Sequence, residues 1–184
     1  MLKAFIERLI RQQEIATGES ADFMRDIYGA APGGFWRFVL FVPMSRFRPT
    51  LPLDAYCAVR IAAVHAEDCG PCLQTVINLL LAAGATPQVL RAAVAGDLAA
   101  MDERTRTAFE FARAIAARDI HADDLRPVIE RWWGKAGITE IALAVASTRV
   151  FPTVKRAMGY AQSCQRVVIE GEETNARRRE AAAA

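Results

Sequence analysis

LDAYCAVRIAAVHAEDCGPCLQTVINLLLAAG, residues 53–84, is the stretch that decides the fold. Two apolar segments at helical spacing flank the CGPC motif at 69–72, and neither segment alternates as a strand does. Thioredoxins place a CxxC motif after a buried strand in a βαβ unit, so the surroundings of this motif disfavour that class. The sequence instead predicts a helix that begins at the cysteine pair and runs to about Ala83.

The CGPC motif places two thiols on one face of that helix. Asp68 or Cys69 can cap it, and Pro71 fits the first turn because its missing N–H has no intrahelical partner there. Residues three apart share a face, so Cys69 and Cys72 can form a disulfide. A helix start favours a thiolate, whereas Glu67 and Asp68 raise the thiol pKa, so the sign of the net shift stays open. We predict a dithiol with a redox role.

Two further residues precede the pair, and they leave alternatives open. Cys57 and His65 are eight residues apart, which turns them by only about 80° from a shared helix face. Both can therefore point toward the dithiol, with His65 as a base. The structural alternatives are a helix-end histidine held by a carbonyl and a cysteine packed in the core. His65, Cys69, Cys72 and Cys57 also form a candidate zinc set, but zinc sites usually draw on two separated ligand pairs. We predict neither metal nor cofactor.

Three stretches between Leu51 and Gly159 resemble one family. They read LPLDAYCAVRIAAVHAEDCGPCLQTVINLLLAAG, AVAGDLAAMDERTRTAFEFARAI and GITEIALAVASTRVFPTVKRAMGY. Over well more than half of the chain, they look like the AhpD-like, carboxymuconolactone decarboxylase superfamily. The resemblance implies an all-α helical bundle, a homo-oligomer (trimer or hexamer) and, for members with a CxxC motif, the reduction of peroxides.

The same resemblance implies roles for the cysteines. Peroxidases of this family use a CxxC motif, a His four residues after its second Cys and a Glu twelve residues before its first. Cys72 is then the thiol that attacks the peroxide, and Cys69 resolves it as a disulfide. The His position is Val76 and the Glu position is Cys57, so neither proton-relay residue is in its place. Valine cannot act as a base. His65 is the substitute, and we expect slow turnover.

Composition limits the remaining possibilities. A chain of 184 residues with 53% hydrophobic content is one domain with its own core. The formal charge is +2, and basic residues are scattered among acidic ones, which disfavours a nucleic-acid partner. The apolar segment 35–44 contains Arg37 and is too short to cross a bilayer, so we predict no membrane partner. Charged residues near the start disfavour a signal peptide, and we predict a cytoplasmic location.

The chain divides into an N-terminal helical arm at 1–50, an AhpD-like core at 51–165 and a polar tail at 166–184. In the arm, glycines at 29–34 break the helical pattern, and an apolar helix over 35–42 is ended by Pro43. The patch at 35–41 offers apolar surface for contacts between subunits.

In the core, Asp102 is predicted to cap the helix at 103–118. Trp132 and Trp133 end the next helix, and Pro152 kinks or restarts the last one. Cys164, far from the pair in sequence, is expected to be a packed or surface thiol.

Three function classes follow from these features. The first is a peroxidase-like thiol:disulfide oxidoreductase whose partners are a peroxide or another small molecule and a dithiol reductant. The second is a non-catalytic redox-sensing or binding protein. The third is an enzyme like the carboxymuconolactone decarboxylases, which work without a cysteine pair. The dithiol favours the first two classes.

Overall fold

The structure, a computed structural model, describes residues 2–161 and 166–175. Helices make up nearly all of the regular structure, and the prediction of an all-α fold is confirmed apart from one short hairpin. The elements are α1 (Leu2–Thr17), α2 (Asp22–Ala30), α3 (Pro32–Val39), α4 (Phe41–Met44), α5 (Leu53–His65), α6 (Gly70–Ala82), α7 (Pro87–Ala95), a 3₁₀ turn (Leu98–Ala100), α8 (Glu103–Ala117), α9 (His121–Ala157), β1 (Arg166–Ile169) and β2 (Glu172–Asn175).

Helix α5 is the centre of the main core. All residues from 55 to 64 are buried, because α6, α7, α8 and α9 pack around this helix. A helix that is apolar on all sides is stable only when it is enclosed in this way. The element immediately before the CGPC motif is therefore a helix, as the sequence predicts, and not the strand of a thioredoxin.

The N-terminal arm forms a second hydrophobic cluster. Ile6, Ile10, Phe23, Phe35 and Phe38 are among its buried members, and side chains near the end of α9 pack against it. Helix α1 also contacts α6. The arm therefore packs directly against two helices of the predicted core.

Two predictions within the arm are wrong. The third helix begins at Pro32, ahead of the predicted start at 35, because a proline is well placed in the first turn and the glycines at 33 and 34 do not interrupt it. Pro43 lies inside α4, where it occupies the first turn and costs no intrahelical hydrogen bond.

The patch at 35–41 is less exposed than the sequence suggests. Phe35 and Phe38 turn inward and are 1% and 7% exposed, while Trp36 and Leu40 remain at the surface. Part of this apolar surface is thus covered by the chain itself. The oligomeric state stays a prediction.

The helix end that the sequence predicts at Trp132 and Trp133 is present as a break inside α9. Gly134 directly follows them and has a φ of 63°, a left-handed conformation that favours glycine. Gly137 lies so close to Trp133 that an added Cβ would meet the Trp133 Cβ at 2.3 Å. Pro152 does not restart the helix, because the helical dihedral angles continue through it to the end of α9; a kink at Pro152 stays a prediction.

The segment at 166–184 is only partly described, and its described part is not a polar tail. The strands β1 and β2 form a hairpin, and Val167 and Ile169 are buried in the main core. The Gln74 side chain on α6 holds β1: its amide nitrogen donates to the Val168 carbonyl at 2.9 Å, and its amide oxygen accepts from the Val168 N–H at 2.8 Å. Residues 176–184 and Cys164 lie outside the described residues.

A buried carboxylate joins the arm to the core. Glu140 on α9 is 1% exposed and accepts hydrogen bonds from the backbone N–H groups of Thr50 at 2.8 Å and Leu51 at 2.9 Å. These charge-assisted bonds fix the chain where it enters α5. In the part of the chain that is described, no helix has the length and apolar character needed to cross a membrane.

Candidate functional site

The two cysteines of the CGPC motif form a disulfide at the start of α6. Cys69 is the N-cap residue, Cys72 lies in the first turn, and their Cα atoms are 5.2 Å apart. The Cys69 side chain makes no capping hydrogen bond. Both residues are nearly buried, at 3% and 4% exposure. The predicted position of the pair at a helix N-terminus is confirmed, and the structure shows its oxidised form.

The loop before Cys69 is held by two arginines of α9. The Arg149 guanidinium donates to the Glu67 carboxylate at 2.5 Å. Arg156 donates to the backbone carbonyls of Glu67 and of Asp68, the latter at 3.0 Å. Asp68 itself has a left-handed φ of 45°. The Arg149 charge offsets the negative charge that Glu67 brings close to the dithiol.

A cavity opens beside Cys72 on the side of the N-terminal arm. The empty space between its walls is about 760 Å³ when the part that opens to solvent is included, and α1, α2, α5, α6 and α9 all contribute to the wall. Cys72 and Val76 line it together, one turn apart on α6, whereas Cys69 does not. Of the two cysteines, Cys72 is therefore the one that a molecule in the cavity reaches.

Basic side chains also line this cavity, and the sequence analysis missed them. Arg60 of α5 and Lys155 of α9 are 4% and 7% exposed. Arg60 Nε donates to Thr148 Oγ1 at 3.2 Å, and the Lys155 ammonium lies 4.9 Å from the centre of the Phe23 ring. Burial lowers the pKa of both groups. One feature of the sequence could have pointed to these basic side chains, because Arg60 is a charged residue inside the otherwise apolar run at 55–64.

His65 does not line the cavity. Burial lowers its pKa to about 4, so the imidazole is neutral at pH 7 and weakly basic. Its Nε2 atom is buried without a hydrogen-bond partner among the described residues. The sequence analysis left open that a backbone carbonyl accepts a hydrogen bond from the His65 ring, and for Nε2 this is not so. The role of His65 as the substitute base stays a prediction.

Cys57 lies at the middle of the core with no exposed surface. Burial, with a smaller contribution from Asp54, raises the pKa of its thiol to about 12. A thiol with this pKa is almost entirely protonated at neutral pH and therefore a poor nucleophile. Its surroundings are those of a packing residue.

The candidate zinc ligands do not assemble into a cluster. Within residues 2–161 and 166–175, no group of three or more His, Cys, Asp or Glu side chains is placed to hold a metal ion. Cys69 and Cys72 are joined to each other in the disulfide.

Comparisons of the chain with protein-family models, with curated proteins and with solved structures give no significant match.

Proposed function

We propose that this chain is a thiol:disulfide redox protein of the AhpD-like kind that reduces peroxides with Cys69 and Cys72. The observation that carries the proposal is a disulfide at a helix N-terminus whose second cysteine lines a cavity. A peroxide in that cavity meets Cys72 before Cys69. This order fits an attacking role for Cys72 and a resolving role for Cys69.

The proposed reaction has two chemical steps and one recycling step. The Cys72 thiol first loses its proton, and the thiolate attacks the terminal oxygen of the peroxide ROOH. The O–O bond breaks to give a Cys72 sulfenic acid and the alkoxide RO⁻, which takes up a proton to become the alcohol ROH. The Cys69 thiol then attacks the Cys72 sulfur, which forms the S–S bond and releases water. A dithiol reductant returns the disulfide to two thiols and is itself oxidised to a disulfide.

Slow turnover follows from the cavity wall. Val76 occupies the position one turn beyond Cys72 and offers no group that moves a proton. His65 remains the proposed substitute, acting as a neutral imidazole. The rate is then limited by slow removal of the Cys72 thiol proton and by slow protonation of the departing alkoxide.

Two other functions compete with this one. A redox sensor would use the same disulfide without turnover, and the buried pair held by α9 is compatible with that function. A decarboxylase like the superfamily's namesake would not need the cysteines. The cavity beside Cys72 favours the peroxidase, because a sensor does not require space for a small molecule next to the attacking sulfur.

Turnover in the presence of a dithiol reductant tests the proposal. The full chain is incubated with cumene hydroperoxide and excess dithiothreitol, and cumyl alcohol is quantified. We expect many equivalents of alcohol per protein chain, and none above background for Cys69→Ser/Cys72→Ser. Cys57→Ala is the matched control and should keep the activity, since Cys57 is buried and protonated. A single equivalent of alcohol without recycling would instead support the sensor.

A further inference from the structure

We propose that the cavity beside Cys72 is a binding site for an organic carboxylate with an apolar chain, whose carboxylate is held by Arg60 and Lys155. The site combines two buried cations with a mainly apolar wall. Neither the cysteine pair nor the peroxide chemistry requires these cations.

The first argument is that neither cation is in close contact with a carboxylate. Within the described residues, neither Arg60 nor Lys155 forms an ion pair with a carboxylate. Arg60 has Thr148 and the face of the Tyr56 ring as its neighbours, and Lys155 has the Phe23 ring. A buried charge without a close counter-ion destabilises the folded protein, because the loss of hydration is not compensated. A carboxylate in the cavity supplies the missing partner.

The charge balance of the wall also favours an anion. Three basic side chains line the cavity, Arg46, Arg60 and Lys155, and one acidic side chain, Glu19. Burial raises the pKa of Glu19, while Lys155 lowers it. Glu19 acts electrostatically on Lys155 and opposes the lowering of the ammonium pKa by burial, but the two groups are not in ion-pair contact, so a ligand carboxylate can still reach the ammonium.

The rest of the wall fits a hydrocarbon chain. Aliphatic and aromatic side chains from α5, α6 and α9 and from the 2–50 arm cover most of it, including Phe23, Val76, Leu79 and Phe151. Apolar walls with a few convergent polar groups are typical of sites for small organic ligands. A guanidinium binds a carboxylate through two parallel hydrogen bonds, which suits Arg60 to the ligand's polar end.

The binding itself does not depend on the proposed function. If the chain is a peroxidase, however, the carboxylate site also names its substrate class, which is an organic hydroperoxide that carries a carboxylate. That extension rests on the proposed function. Binding and turnover are therefore measured separately.

Isothermal titration with decanoate tests the site in the full chain. We expect saturable binding to the wild-type protein and at least tenfold weaker binding to Lys155→Met and Arg60→Met. Lys135→Met, which removes an exposed lysine of the same helix, is the matched control and should bind as the wild type does. Decanol should bind equally to all four proteins. Thermal melting checks that the variants fold, as loss of an unpaired buried charge should allow.

Two results would overturn the inference: no saturable decanoate binding at millimolar concentration, or unchanged affinity in both cavity variants. The titration is repeated with Cys69→Ser/Cys72→Ser, which should bind decanoate without reducing peroxide. Binding without turnover in the wild type would leave this site in place and remove the peroxidase. Turnover of cumene hydroperoxide without decanoate binding would support the peroxidase and remove the carboxylate site.

Discussion

Val76→His is expected to raise the rate of peroxide-driven disulfide formation by about a hundredfold, the lower end of what a positioned base contributes. Val76 lines the cavity with Cys72 and lies one helical turn beyond it. An imidazole there can take the thiol proton and return it to the departing alkoxide. Stopped-flow mixing of the reduced variant with cumene hydroperoxide, followed by quantification of free thiols, measures the rate.

Leu79→His is the matched control for this substitution. It places an imidazole in the same cavity, at a half-buried position that is seven residues beyond Cys72, which is about 10 Å along the helix axis. We expect no acceleration from it. Equal rates for Val76→His and the wild type, with Val76→His folded, would show that the proton relay does not act from this face of α6. If His65→Gln were then also without effect, both proposed relay positions would be wrong.

When the pH is lowered from 7.5 to 4, the free energy of unfolding of the wild-type protein is expected to fall further than that of the His65→Gln variant, by up to about 3 kcal/mol. The folded protein lowers the pKa of His65 to about 4, whereas an unfolded chain gives histidine a pKa of about 6.5. Between these values the unfolded state binds a proton that the folded state does not. Stability is therefore fully retained above pH 6.5 and is lost as the pH falls toward 4.

Urea denaturation of the oxidised protein at both pH values measures this difference. His121→Gln is the matched control, because His121 is exposed on the surface of α9 and pairs only with Asp124, at 3.4 Å, among its described neighbours. It should follow the wild type. If the free energy of unfolding depended on pH in the same way in the wild type and in His65→Gln, the result would contradict a buried, neutral imidazole at His65.

The sequence predicts the centre of the fold well because its signals are local. The helical spacing of the apolar segment before the CGPC motif predicts α5, and Asp102 caps α8 by accepting hydrogen bonds from the N–H groups of Arg104 and Thr105. Pro71 and the CGPC motif predict the start of α6. In each case the sequence signal lies within a few positions of the element that it predicts.

The features that escaped the sequence depend on distant contacts. The hairpin exists because Val167 and Ile169 bury against the core and Gln74 pairs with its backbone across 94 positions. The cavity beside Cys72 combines residues of the arm with Arg60 and Lys155, from helices that are separated by some ninety residues in the chain. No periodicity predicts such a juxtaposition. For the same reason the sequence suggested His65 as a neighbour of the site, whereas the cavity wall does not include it.

Trapping a sulfenic acid on Cys72 tests the central claim most directly. Reduced Cys69→Ser is mixed with one equivalent of cumene hydroperoxide and with dimedone, and the adduct is located by peptide mass spectrometry. Without Cys69 to resolve it, the sulfenic acid should persist, and we expect a dimedone adduct on Cys72 together with one equivalent of cumyl alcohol. An unmodified Cys72, with the peroxide intact or with the adduct on another cysteine, would contradict the claim that Cys72 attacks a peroxide in this cavity.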